Sequence, residues 1–139
     1  MLKILFSFLI LLHSNQAEAT PNFSIKNLSA QEIDEMIEKN VLQKPYLFEV
    51  SRLRLLQVSY YDFSGKIHEG KIVTLDAAAQ NLLEIFKKLY AKKFPLKQVK
   101  LMNEFFGNDD AATDANNSSA LNQRKIAGSD KISIHSYGL

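Results

Sequence analysis

Two apolar segments on either side of a short turn constrain the fold of this chain more than any other feature. The first, "RLRLLQVSYY", occupies residues 52–61, and the second, "KIHEGKIVTL", occupies residues 66–75. Between them "DFSG" (residues 62–65) supplies the Asp, Ser and Gly that are typical of turns. The pattern predicts an antiparallel β-hairpin. Apolar positions in the first segment change parity between Leu55 and Leu56, which allows a β-bulge.

Two helices are predicted around this hairpin. Ser29 and Glu32 have the spacing of a capping box, which starts a short helix that Asn40 can end. A longer amphipathic helix is predicted over residues 77–91, with Asp76 as its cap and an apolar stripe along one face. A short helix is thus predicted before the hairpin, and a longer one after it.

The pattern changes after the long helix. Pro95 ends that helix, and "LKQVKLM" at residues 96–102 alternates as a strand does. Residues 103–119 are polar and rich in Asn and Asp, which predicts a loop with one helical turn at residues 111–115. Strand character returns at residues 120–124.

The first 19 residues have the pattern of a secretory signal peptide. Lys3 gives a positive start, residues 4–12 are largely apolar, and Ala17 and Ala19 provide the small-x-small pattern that signal peptidase cleaves. We therefore expect a mature chain from Thr20 that is exported, and hence periplasmic or extracellular. A retained membrane anchor is the alternative, but the apolar run is far shorter than the roughly 20 residues that span a bilayer.

Charge and cysteine content narrow the function classes. The formal net charge is +2 and the lysines are spread along the chain, so no nucleic-acid footprint is present. The sequence has no cysteine, which excludes disulfides and thiolate metal sites. Phosphate-binding glycine loops, nucleophile elbows and His-Glu-x-x-His helices are also absent from the sequence.

Several side chains outside the C-terminal segment are able to bind a metal. His68 lies on the predicted return strand, where a solvent-facing or half-buried position is favoured over a ligand role. Asp109 and Asp110 have oxygens that suit a hard cation, but the sequence around them lacks EF-hand spacing. Neither place therefore predicts a metal site by itself.

The segment "SIHSYG" places Ser133, His135 and Gly138 in the spacing Ser-x-His-x-x-Gly. This spacing resembles the first half of the Ser-x-His-x-x-Gly-x-Ala-x-Asp motif of the VanY/VanX-type zinc D-Ala-D-Ala carboxypeptidases and the L-alanyl-D-glutamate peptidases. The stretches "YYDFSGKIHEGKIVT", "FPLKQVKLMNEFFGNDDAATDANNSSALNQR" and "GSDKISIHSYG" look like the carboxypeptidase-like branch of that family. The similarity covers roughly residues 58–139, and it implies a Hedgehog/DD-peptidase-like α+β fold.

The resemblance also implies roles for three residues. His135 matches the first zinc ligand, and Ser133 matches a serine that lines the substrate pocket. Arg124 matches the arginine that precedes the metal motif and stabilises charge on the scissile carbonyl, a task that suits a permanently ionised guanidinium. The implied substrates are peptidoglycan stem peptides, and the implied cofactor is zinc.

The sequence departs from the family pattern at its end. The family's second ligand is an aspartate seven residues after the histidine, which would fall beyond Leu139. The later Glu-x-x-His, with the general base and the third ligand, is also missing. We therefore expect residues 20–139 to be the N-terminal part of a metallopeptidase-like domain, truncated after the first metal ligand and binding zinc weakly or not at all. A non-catalytic exported domain that binds peptides or proteins is the alternative.

Overall fold

The computed structural model describes residues 20–138. The signal-peptide prediction for residues 1–19 therefore lies outside the described residues. The strands are β1 (Ser24–Asn27), β2 (Leu53–Tyr61) and β3 (Ile67–Leu75), and the helices are α1 (Ala30–Glu38), α2 (Asp76–Ala91) and α3 (Asp109–Asp114). Short 3₁₀ turns cover Val50–Arg52, Met102–Phe105 and Ile134–Tyr137. The α+β class with an antiparallel sheet is confirmed.

The predicted hairpin is the centre of the sheet. β2 pairs with β3 from Leu53↔Leu75 to Tyr61↔Ile67, and β1 pairs with the other edge of β2, all antiparallel. Pairing between β2 and β3 advances one residue at a time over the whole length. The β-bulge that the parity shift allows is therefore not formed.

The parity shift in β2 has a different cause, because the sheet is covered on both faces. Leu56 and Val58 belong to a buried cluster with Leu83 and Phe86 of α2. Leu55, on the opposite face, belongs to a second cluster that includes residues from α1 and from the C-terminal half of the chain. A strand that is buried on both faces reads as a continuous apolar run and not as an alternation.

The helix starts follow local hydrogen-bonding chemistry. Ser29 Oγ accepts a hydrogen bond from the Glu32 amide, and the Glu32 carboxylate accepts one from the Ser29 amide, so the capping box is confirmed. α2 starts one residue earlier than predicted, with Leu75 at the N-cap position and Asp76 as its first residue. Among the described residues, no side chain makes a capping bond at this helix start, so the prediction that Asp76 caps the helix is wrong. The Asp76 carboxylate instead accepts hydrogen bonds from the Arg52 guanidinium at 2.8–3.3 Å.

Residues 96–102 do not form the predicted strand. Gln98 makes one isolated bridge with Asn117, and the segment reaches the free edge of β3, where Val99 O accepts a hydrogen bond from Lys71 N. Gly70 allows this close approach, because a Cβ atom there would lie 2.5 Å from Val99 Cβ. The alternating residues of this segment therefore pack beside β3 without forming a strand.

The segment before the C-terminal motif runs along the sheet and ties it to the rest of the chain. Leu121 N donates to Val73 O, and Gln123 N donates to Val41 O. These bonds place Asn122 and Arg124 beside the last 3₁₀ turn. Within residues 20–138 no helix is both long and apolar enough to cross a bilayer.

Candidate functional site

The backbone of Arg124 is fixed to the segment that carries His135. Ser133 N donates to Arg124 O at 3.0 Å, and Asn122 N donates to His135 O at 2.9 Å. The Ser136 hydroxyl makes two further bonds, accepting from Arg124 N at 2.8 Å and donating to Arg124 O at 2.7 Å. Ser136 is fully buried. These four bonds set the spacing between the arginine and the histidine that the sequence singles out.

The turn that carries His135 begins at a serine and ends at a glycine. Ser133 Oγ accepts a hydrogen bond from His135 N at 3.3 Å and so caps the 3₁₀ turn. Gly138 has φ +68°, and a Cβ atom there would lie 2.9 Å from Thr74 Cα. Thr74 Oγ1 donates to Gly138 O at 2.6 Å. The glycine of the motif is therefore required both by backbone conformation and by contact with β3.

Asp109 joins this site from the first turn of α3. Its Oδ2 atom is in ion-pair contact with Nη2 of Arg124, and its Oδ1 accepts from Asn122 Nδ2 at 2.8 Å. Arg124 Nη1 also donates to Lys125 O at 3.2 Å. Two buried atoms, Arg124 Nε and Asn122 Oδ1, have no hydrogen-bond partner within the described part of the chain.

A cavity of about 200 Å³ opens beside these groups. Asp109, Asn122 and His135 line it, together with the methyl, hydroxyl and amide groups of nearby residues. The His135 side chain is exposed, and its imidazole has no hydrogen-bond partner among residues 20–138. The cavity is thus bounded by a carboxylate, an accessible imidazole and amide groups.

The three predicted site residues lie close together in the fold, but they differ in whether they line the cavity. Arg124 is partly exposed and reaches the cavity wall through its contact with Asp109. His135 lines the cavity directly, whereas Ser133 is 4% exposed and is not one of the described residues that line it. In this structure the Ser133 hydroxyl holds the turn that presents His135.

The donor set here does not complete a zinc site. His135 offers one imidazole, and both oxygens of Asp109, the acid on the same cavity wall, already have partners. Among residues 20–138 no three His, Asp or Glu side chains are placed to hold a metal ion. His68 is hydrogen-bonded to Asp62 at 2.7 Å, on the hairpin turn. The described residues therefore fit one position of the three-ligand site that catalytic zinc requires.

Sequence reasoning missed three members of this arrangement. Asp109 was considered only as a cation ligand, and its contact with Arg124 joins positions that are distant along the chain. Ser136 and Asn122 carried no recognisable signal, because a backbone clamp depends on tertiary geometry and not on local spacing. The Asn and Asp residues of 103–119 indicated a polar segment, but not which side chain turns inward.

A larger cavity, of about 410 Å³, opens between α1 and β3. Its wall carries both signs of charge, including Glu35, Glu69 and Lys71, and an ion pair of 2.8 Å between Lys100 and Glu104. The residues of the C-terminal motif do not line it. Comparison of the chain with protein-family models, with curated protein sequences and with solved structures finds no match.

Proposed function

We propose that this chain is part of an exported zinc metallopeptidase domain, D-Ala-D-Ala carboxypeptidase-like and of the Hedgehog/DD-peptidase fold, that acts on peptidoglycan stem peptides. One observation carries the proposal. Arg124 and His135, the arginine and first metal ligand of the resemblance, are fixed to each other by the buried Ser136 hydroxyl beside one cavity.

In such a site, the described residues would bind the substrate carbonyl and supply one metal ligand. The Arg124 guanidinium stays ionised and presents a rigid fork of donors, which suits a carbonyl oxygen that gains negative charge. Asp109 contacts the Arg124 guanidinium from one side, and the Ser136 hydroxyl bonds to the backbone of Arg124. His135 presents an imidazole that has no partner among residues 20–138, and imidazole is a common zinc ligand in catalytic sites.

The remaining parts of this proposal come from the sequence. The pattern of residues 1–19 supports export, which would place the domain in the periplasm or outside the cell with access to stem peptides. A formal net charge of +2 does not favour nucleic acid as a partner. When bound, zinc in this class polarises the scissile carbonyl and activates water.

A non-catalytic exported domain that binds peptides or proteins is the second candidate. The observation in its favour is the donor set, since the described residues fit one zinc position and not three. The cavity wall, rich in amide and hydroxyl groups, suits a peptide without a metal. The two candidates differ in whether His135 responds to zinc.

A zinc titration of purified residues 20–139, followed through the imidazole NMR signals, separates them. The metallopeptidase proposal predicts that His135 responds to zinc, with an affinity weaker than about micromolar because chelating partners are missing. His135→Ala should remove this response, and His68→Ala, at the hairpin histidine, should leave it unchanged. A His135 signal that zinc does not move favours the non-catalytic domain.

A further inference from the structure

We infer that the cavity beside His135 takes an uncharged amide-bearing part of a peptide and disfavours a free carboxylate. The assignment of a peptide as the ligand rests on the proposed function, whereas the preference for an amide over a carboxylate rests on the cavity itself.

The charge on the cavity wall gives the first argument. No lysine or arginine is one of the described residues that line this cavity, and the Asp109 carboxylate is the acidic group on the wall. A ligand carboxylate entering here meets a like charge at short range. Like charges about 4 Å apart repel even in water, and more strongly where solvent is partly excluded.

The contacts that Arg124 already makes give the second argument. Arg124 is the cation next to the cavity, but Asp109 Oδ2 already contacts Nη2, and Lys125 O accepts from Nη1. A carboxylate would have to displace Asp109 to form the bidentate pair that makes arginine a strong carboxylate receptor. A neutral amide does not require this displacement and can enter the cavity while the ion pair stays in place.

An unpaired buried acceptor on the cavity wall gives the third argument. Asn122, which is 3% exposed and lines the cavity, has an Oδ1 acceptor without a partner in the described chain. Asn122 Nδ2 also donates to Asp109, so the unmet acceptor lies beside the carboxylate on the cavity wall. An amide group offers an N–H and a C=O together, and a carboxylate offers acceptors alone.

The test compares two probes that differ only in this group. Residues 20–139 are titrated with N-acetyl-D-alanine and with N-acetyl-D-alaninamide at the same pH of about 8. The backbone amide signals of residues 122, 124, 135 and 136 report binding at the cavity. We expect these signals to move with the amide probe, and to give an affinity at least about fivefold higher than for the acid.

Two variants test whether Asp109 causes the preference for the amide probe over the acid. Asp109→Asn should reduce the preference to less than about twofold, because it removes the like charge and frees the Arg124 fork. Asp110→Asn removes the same charge from an exposed neighbour outside the cavity wall and should leave the preference unchanged. Equal or tighter binding of the acid by the unmodified chain overturns the inference, as does a lack of response at the cavity to both probes. A preserved preference together with a zinc-silent His135 would sink the metallopeptidase proposal and leave this inference standing.

Discussion

The Ser136 hydroxyl bonds to both backbone groups of Arg124, accepting from its N–H at 2.8 Å and donating to its C=O at 2.7 Å. Ser136 directly follows His135, so the residue next to the histidine fixes the backbone of the arginine. Arg124 in turn contacts Asp109 of α3. The site is therefore held by one small buried side chain and one ion pair, while its cavity-facing groups stay accessible.

Replacing Ser136 with alanine should destabilise the protein by about 1–3 kcal/mol. The change leaves an amide and a carbonyl of Arg124 without this partner in a buried position. Urea unfolding followed by circular dichroism measures the loss. Ser51→Ala, at an exposed serine in the turn before β2, provides the matched control and should change the free energy of unfolding by less than about 0.5 kcal/mol. Equal costs for the two variants would mean that the clamp contributes nothing.

Substitutions at two glycines distinguish the stability cost of backbone strain from the cost of steric contact. Gly128 and Gly138 have similar positive φ values, +72° and +68°, but a Cβ atom on Gly128 meets open space while one on Gly138 meets Thr74. Gly128→Ala should cost about 1 kcal/mol, from conformation alone. Gly138→Ala should cost clearly more, and should also shift the NMR signals of His135, because the turn must move away from β3. Thermal unfolding and amide spectra of the two variants provide the comparison.

Neighbouring leucines test whether both faces of β2 are buried. Leu55 and Leu56 are 1% and 0% exposed and point to opposite faces of the sheet. Leu55→Ala and Leu56→Ala should each cost about 2–5 kcal/mol in the free energy of unfolding. Ile85→Ala, at a half-exposed position of α2, should cost much less. If one of the two leucine variants is nearly as stable as the parent, one face of the sheet is solvated.

The hairpin turn should make stability depend on pH. Asp62 accepts hydrogen bonds from the Ser64 hydroxyl and amide and from the Lys66 amide, and His68 Nε2 lies 2.7 Å from its other oxygen. These bonds, that of the Ser64 hydroxyl first, hold the pKa of Asp62 far below its usual value of 3.8. A lowered pKa in the folded state means that the contribution is present above the unfolded pKa and is lost as pH falls through the folded one.

Asp62→Asn should therefore lower the urea midpoint at pH 7, and the difference from the parent should shrink as the pH falls below about 4. Measuring the midpoint between pH 7 and pH 2 tests this. Asp34→Asn makes the same charge change on the exposed face of α1 and should show no such trend. A difference that stays constant down to pH 2 would argue against a role for the ionised Asp62 carboxylate.

Local structure could be predicted from the sequence where a few neighbouring residues determine it. The turn at Asp62 and the capping box at Ser29 were predicted because each depends on side chains within four residues of one another. The parity shift at Leu55 was misread, because a bulge and a sheet covered on both faces give the same apolar pattern. The pattern alone does not say how many layers cover a strand.

Contacts between distant parts of the chain were beyond sequence reasoning. Residues 96–102 alternate like a strand, but the edge of β3 that they reach is bonded to Val99 at one end and to Leu121 further along. Asp109 lies in a polar stretch whose composition predicts a solvated loop, and only the fold brings it to Arg124. The family resemblance implies roles for Arg124 and His135 at one site, but it gives no indication of the Ser136 hydroxyl that bonds to the Arg124 backbone.

Peptide hydrolysis by an extended chain tests the central claim most directly. The chain is extended at its C-terminus with a segment that carries an aspartate seven residues after His135 and a later Glu-x-x-His, and a D-Ala-containing stem-peptide analogue is supplied with zinc. The account predicts hydrolysis that is lost with His135→Ala and falls about 10²–10³-fold with Arg124→Ala. Arg52→Ala, which removes a half-exposed arginine paired with Asp76 away from the cavity, should leave the rate unchanged. An extended protein that hydrolyses the peptide equally well with Arg124→Ala, or not at all in its parent form, would contradict the account.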